Sequence, residues 1–378
     1  MKILLIGPAY PLRGGNALFV AHLYEALSTK HSVDVVSFSR LYPKLLFPGV
    51  RQNDISGRPL KQHPATPILD SINPRTWYAA VRHAAERKPD AVVFTWWNPF
   101  FGPLVGIVAS QIKKKLHIPI IIVAENVISH EGRWIDLLLT KFALNKADKF
   151  LVLSKVVEET VRRLYPSAPL FRSSLPVYDC YQTDAMVSRD EAQRRLHLAG
   201  KNVILFFGYI RKYKGLMNLI EAFPAVKKEI PNAHLLIVGE FYDNERSYRQ
   251  AIDRLGIQDD VTVVQEYVPN EDVHKYFTAA QVVVLPYNEA TQSGILSIAQ
   301  SFAVPAIVTN VGGLAELVAD GKTGLVVEPH KIDLLSQAII KYFTEEKQQS
   351  FSDEIVRRRT SNSFTQITNV FDTILSDI

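Results

Sequence analysis

The chain has 378 residues, 47% of them hydrophobic and 21% charged, with a net charge of +5 and one cysteine, Cys180. That length suits two domains rather than one core, the composition excludes a disordered chain, and a single cysteine excludes an intrachain disulfide and fits a reducing, cytoplasmic compartment. The mild positive excess suits phosphate-bearing ligands or the inner face of an anionic membrane; it is too dispersed for nucleic-acid binding, and no apolar run is long enough to span a bilayer.

The opening MKILLIG reads as a first buried strand and not as a secretory signal. Short β-branched runs then recur, each followed by a longer amphipathic stretch, at 33–38, 91–95, 118–124 and 149–153. The pattern restarts near residue 200 with runs at 202–207, 234–238, 261–264, 281–285, 306–309 and 324–327. Continuous apolar strands alternating with helices predict an α/β chain whose parallel sheets are covered on both faces. The irregular polar stretch 173–189 marks the linker, so we expect two Rossmann-like doubly wound domains, 1–178 and 179–355. In the last segment Ile355, Phe364, Ile367, Phe371 and Ile374 recur at helical spacing, which predicts a terminal helix over 356–378 able to pack back on the first domain. Open parallel sheets bind ligands beyond the carboxyl ends of their strands, so the expected site is a central cleft lined by loops of both halves.

Several loops at those strand ends carry chemistry. After the first strand, Gly7-Pro8-Ala9-Tyr10-Pro11-Leu12-Arg13-Gly14-Gly15-Asn16 places Asn16 as an N-cap and Gly14 and Gly15 where a ligand can approach the backbone. A helix N-terminus there attracts phosphate, although a plain strand–helix turn explains the same residues. The loop is not GxGxxG, so a nicotinamide cofactor is not indicated. The aromatic stretch 94–101, FTWWNPFF, fits an acceptor's sugar face, a lipid tail, a membrane surface or simple core packing equally well. Glu125-Asn126-Val127-Ile128-Ser129-His130-Glu131 follows a strand and offers a carboxylate, Glu125, and an imidazole, His130, for acid–base work on a hydroxyl.

In the second half, Gly208-Tyr209-Ile210-Arg211-Lys212-Tyr213-Lys214-Gly215 sets three cations and a glycine directly after a strand, a fit for a diphosphate. The loop 286–294 opens a helix at which Gln292, Ser293 and Gly294 present a second anion site, with Ser293 as its cap, and Asn288 and Glu289 are placed for sugar hydroxyls. Gly312 and Gly313 follow the next strand at the same edge. No His, Cys or acidic spacing suits a metal, and no nucleophile motif is present.

Gly14-Gly15, ENVISHE, FFGYIRKYKG, EYVPNEDVHKYF, ATQSGILSIAQSFAVPAIVTNVGGLAELV and DGKTGLVV together resemble the retaining glycosyltransferases of family four, group 1, which have the two-domain GT-B fold. The resemblance spans nearly the whole chain. It implies a hexosyl transfer from a nucleoside-diphosphate sugar donor to a glycan or lipid-linked acceptor, without an obligatory metal or other cofactor, as in polysaccharide biosynthesis, with peripheral membrane contact allowed. By matching position it implies Lys214 and Arg211 on the diphosphate, Ser293 and Gly294 meeting phosphate through the backbone, and Tyr267 and Val268 near the base. The two glutamates that many relatives carry eight positions apart are here Ala290 and Ile298, with Glu289 beside the first, and Tyr209 and Glu125 stand where relatives often show arginine and histidine. Two other readings use the same residues: a sugar-nucleotide epimerase relying on Glu125, His130 and Glu131, and a non-catalytic nucleotide-sugar-binding protein.

Overall fold

A computed structural model describes residues 1–47, 51–57, 60–128, 134–182, 187–359 and 364–376. The chain forms two compact units. One comprises Met1–Ile55, Pro59–Leu175 and Ser363–Ile378, the other Ser56–Arg58 and Pro176–Asn362.

The N-terminal unit is built on β1 (Lys2–Ile6), β2 (Ser32–Arg40), β3 (Thr66–Asp70), β4 (Ala91–Trp96), β5 (Ile120–Ala124), β6 (Lys149–Val152) and β7 (Leu170–Arg172). They lie in the order β3-β2-β1-β4-β5-β6-β7, every pairing parallel. All residues of β4 and β5 are buried, which is why those runs are apolar without alternation. The two edge strands were not among the expected ones. β3 carries Pro67 and β7 is three residues long, and both are largely half-exposed, so neither shows a continuous apolar run.

The C-terminal unit contains β8 (Asn202–Phe207), β9 (Ala233–Val238), β10 (Val261–Val264), β11 (Val282–Leu285), β12 (Ala306–Thr309) and β13 (Gly324–Val327) in the order β10-β9-β8-β11-β12-β13. This sheet is also parallel throughout. Each unit has its own apolar core.

The end of the chain contains two helices rather than one. Gln348–Arg359 belongs to the C-terminal unit, where it buries Phe351 and Ile355 and the Arg359 guanidinium donates to the Ser301 carbonyl at 3.0 Å. Phe364–Leu375 belongs to the N-terminal unit. Its Ile367, Phe371 and Ile374 are fully buried, each contributing roughly 1.5–3 kcal/mol. Phe364 stacks on His22 at 4.5 Å, Asp372 pairs with Lys30 at 2.5 Å, and the Lys149 ammonium donates to the Ile374 carbonyl at 2.6 Å. Among the described residues no helix is long and apolar enough to cross a membrane.

In both sheets the chain winds outward to one edge and then returns to start on the other side. The strand order therefore reverses between β1 and β4, and again between β8 and β11. Carboxyl ends of strands at such a reversal leave a crevice that parallel sheets use for ligands. The loops after β1 and β4, and those after β8 and β11, are the ones to inspect.

Candidate functional site

In the C-terminal unit the loop after β8 is pressed onto the loop after β11. Gly215 has φ +65, and a Cβ there would lie 1.9 Å from the Pro286 carbonyl oxygen, so only glycine allows both the turn and the approach. Asn288 braces the same junction. Its backbone N–H donates to the Tyr213 carbonyl at 2.6 Å, its side-chain amide donates to the Lys212 carbonyl at 3.3 Å, and its side-chain oxygen accepts from Asn218 at 2.9 Å. Expected to meet sugar hydroxyls, Asn288 instead has its amide engaged within the protein.

This bracing holds Lys214 inside the unit. The side chain is buried, with its ammonium 5.5 Å from the centre of the Tyr287 ring. Burial, and then the neighbouring Arg211 charge, pull its pKa down to about 8. Arg211 lies over the Tyr242 ring at 5.0 Å, and Tyr242 stacks on Tyr209 at 4.7 Å. Tyr209 is thus the base of the stack that carries Arg211. Neither cation has a carboxylate partner among the described residues. Two positive charges, one of them poorly solvated, are left to attract an anion.

The loop after β11 adds a helix N-terminus. Gly294–Ser301 begins with Ser293 at the N-cap position, but the Ser293 side chain makes no capping hydrogen bond to its first turn. The Ser293 hydroxyl lies instead 3.5 Å from that of Tyr287, a correction to its expected capping role. The Leu296 N–H turns back to the Ser293 carbonyl at 3.2 Å, so the Gly294 and Ile295 amides and the helix dipole are what the turn offers a ligand. The Gln292 side-chain oxygen is buried without a hydrogen-bond partner among the described residues. Gly312 fixes the loop from the other side: a Cβ there would lie 1.6 Å from the Ala290 carbonyl oxygen, and the Gly313 N–H donates to Thr291 at 3.0 Å. Ala290 and Ile298 are both buried, so these positions are filled by packing, while Glu289 is exposed. Tyr267 and Val268 follow β10, which is separated from β8 by β9, and Val268 is buried. They lie off the reversal point that gathers Arg211, Lys214, Gln292, Ser293 and Gly294.

The N-terminal unit has a different edge. Its first helix starts at Gly15 with Gly14 as N-cap, so Asn16 is not the cap. Asn16 sits in the first turn and its amide donates to Glu125 at 3.0 Å. Among the described residues no atom outside the adjoining chain lies within 4 Å of a Cβ placed on Gly14 or Gly15. Glu125 follows β5 and its backbone N–H donates to the Trp96 carbonyl at 2.9 Å. Its carboxyl is buried and one oxygen has no partner among the described residues. Burial raises its pKa to about 7, against the opposing effect of the Asn16 hydrogen bond. The Thr95 hydroxyl, at the end of β4, is likewise buried and unpartnered among the described residues. His130 and Glu131 lie outside the described residues.

The aromatic stretch after β4 turns out to be packing. Phe94, Trp96 and Phe101 are buried, none of the stretch is exposed, and Phe100 and Phe101 pack on Tyr42 at 5.3 and 5.2 Å.

Two family models match the two units. The model described as glycosyl transferases group 1 covers residues 188–358, and that described as a glycosyl transferase 4-like domain covers residues 14–171. The chain belongs to the group 1 glycosyltransferases. Among the curated relatives of this group 1 glycosyltransferase, CapM of Staphylococcus aureus, a capsular polysaccharide biosynthesis glycosyltransferase, is 26% identical over 46% of this chain and 47% of its own. The D-inositol 3-phosphate glycosyltransferase of an Arthrobacter is 32% identical over 39% of this chain and 36% of its own. The chain spans about half the length or less of these relatives. Among solved structures, Anabaena HepE in complex with UDP-glucose superposes with a TM-score of 0.78 at 16% identity over the full length of both chains, which establishes the two-domain GT-B fold.

Proposed function

We propose that this chain is a retaining, hexosyltransferase-type enzyme that moves a sugar from a nucleoside-diphosphate sugar to a glycan or lipid-linked acceptor. The observation that carries this reading is the buried Lys214, without a carboxylate partner among the described residues, beside Arg211 and the Gly294 and Ile295 amides at the start of Gly294–Ser301, all at one sheet reversal. When the bond from the anomeric carbon to the diphosphate oxygen breaks, negative charge grows on the leaving phosphate. Fixed cations and amide dipoles in a poorly solvated site stabilise that charge without reorganising. Arg211 and Lys214 supply the positive charge a divalent ion would otherwise bring, so the proposal includes no metal step. Gln292, with its unpartnered oxygen, is placed to accept a hydroxyl hydrogen of the donor. In the N-terminal unit Glu125 is the acid–base group: near neutral pH its carboxyl exists in both protonation states, and Asn16 orients it. His130 keeps its proposed role in positioning the reacting groups.

HepE is described with UDP and with UDP-glucose, which supports a nucleotide-sugar donor. A thermal-shift panel of UDP, GDP and ADP tests the reading. A nucleotide present at 100 times its Kd should stabilise the chain by about 2.7 kcal/mol. A panel in which no nucleotide protects would sink it. Retention is then read from the anomeric configuration of the product, since an inverted linkage would reject that part alone.

A further inference from the structure

Described residues at the end of β2 and after it line, with Leu12 from the loop after β1, a solvent-open pocket of about 690 Å³ within the N-terminal unit. That volume suits a small ligand. Gln52 holds its walls together. Its side-chain oxygen accepts from the Tyr42 N–H and its amide donates to the Tyr42 carbonyl, both at 2.8 Å, while its own carbonyl accepts from the Arg13 N–H at 2.9 Å. The pocket is therefore tied to the loop that leads to Gly14 and Gly15.

Its charge is one-sided. Arg40, Lys44 and Arg51 line it, and no carboxylate does among the described residues. Arg40 is held on Asp70 at 2.5 Å, which steadies the guanidinium but leaves donors over. Lys44 and Arg51 have no carboxylate partner among the described residues. Phe47 and Tyr42 supply an aromatic wall, their rings 6.1 Å apart. Leu45, Leu46 and Ile55, beside or in that lining, are 95%, 58% and 50% exposed. Three cations lining one cavity match the charge of a phosphate ester, and the exposed Ile55 in the lining, with Leu45 and Leu46 next to Lys44 in sequence, matches a tail attached to that phosphate.

We propose that this pocket binds the phosphate of the acceptor, with Lys44 and Arg51 as its principal ligands. The pocket thereby selects a phosphorylated acceptor, lipid-linked or soluble. Calling the bound molecule an acceptor rests on the transferase reading above; the phosphate site itself does not.

The test is calorimetric titration of the full chain with octyl phosphate below its micelle concentration, with glucose 6-phosphate, and with uncharged octyl glucoside. Both phosphates are expected to bind more tightly than octyl glucoside. A preference for octyl phosphate identifies a lipid source, and a preference for glucose 6-phosphate a soluble one. Lys44→Ala and Arg51→Ala should each weaken phosphate binding by about tenfold, the size of one charge-assisted hydrogen bond. A parent-like urea-unfolding midpoint of the double variant is the folding control. Phosphate binding that the double variant leaves unchanged, or octyl glucoside binding as tightly as octyl phosphate, overturns the proposal. If phosphates bind as expected while no nucleotide does, the donor reading fails and the phosphate site stands.

Discussion

The reversal edges of the two sheets share a topology and differ in electrostatics. At the β8–β11 edge burial works on a cation, Lys214, whose pKa falls to about 8. At the β1–β4 edge, where β5 lies next to β4, burial works on a carboxyl, Glu125, whose pKa rises to about 7. Desolvation penalises the charged form in both cases and so moves the two groups in opposite directions. The first edge stays cationic at neutral pH and suits an anion. The second holds a group that exchanges a proton near neutrality and suits acid–base work. The parallel sheet provides the crevice, and the loop chemistry decides its use.

The largest expected effect breaks this contrast at Glu125. The folded protein holds that proton more tightly than the unfolded chain, so the stability it contributes is complete below pH 4.5 and is lost as pH rises through about 7. The difference corresponds to about 3 kcal/mol. Glu125→Gln cannot ionise and should remove this loss. Urea unfolding at pH 5 and pH 8.5 should show the variant gaining on the parent chain as pH rises. A constant gap between them at both pH values would mean that the carboxyl does not titrate in this range.

Next in size is Lys214→Ala, expected to weaken UDP binding by about 1.5–3 kcal/mol, the range for hydrogen bonds to charged groups. Titration calorimetry at pH 7 reads it directly. Parent-like affinity in a folded variant would remove Lys214 from the donor site.

How much of this contrast was legible beforehand depends on whether a property is local. The runs that became β4, β5, β8 and β11 were readable because strands buried on both faces must be apolar throughout. β3 and β7 were not, because an edge strand is half wetted and β3 includes Pro67. Arg211 and Lys214 were readable as cations in a glycine-bounded turn after a strand. Tyr242 and Asn218, which hold that turn and its arginine, come from other segments and carry no motif. Asparagine usually caps a helix, so the sequence alone points to Asn16 as the N-cap. Gly14 takes that position, and the amide of Asn16 serves a carboxylate 109 residues away. Glu125 was visible as a carboxylate, but its protonation depends on burial, which only the packed structure determines.

A third prediction sharpens the comparison through pH. Anion binding requires the charged form of Lys214, so UDP affinity should be level below pH 8 and then fall by up to tenfold, about 1.4 kcal/mol, per pH unit above it. Lys214→Ala should flatten that slope. An equally steep decline in the variant would assign the pH dependence to another group.

The smallest effect tests whether Tyr242 acts only through the arginine it carries. With Arg211 5.0 Å above its ring, Tyr242→Leu removes a cation–π contact of about 0.5–1 kcal/mol. UDP affinity should fall by roughly two- to fivefold, less than for Arg211→Ala, because the guanidinium loses its support and keeps its charge. A double-mutant cycle separates this from a direct role. If Tyr242 does no more than orient Arg211, adding Tyr242→Leu to Arg211→Ala costs nothing further. Additive losses would instead put the Tyr242 ring against the nucleotide and make the Tyr209–Tyr242 stack part of the donor surface in its own right.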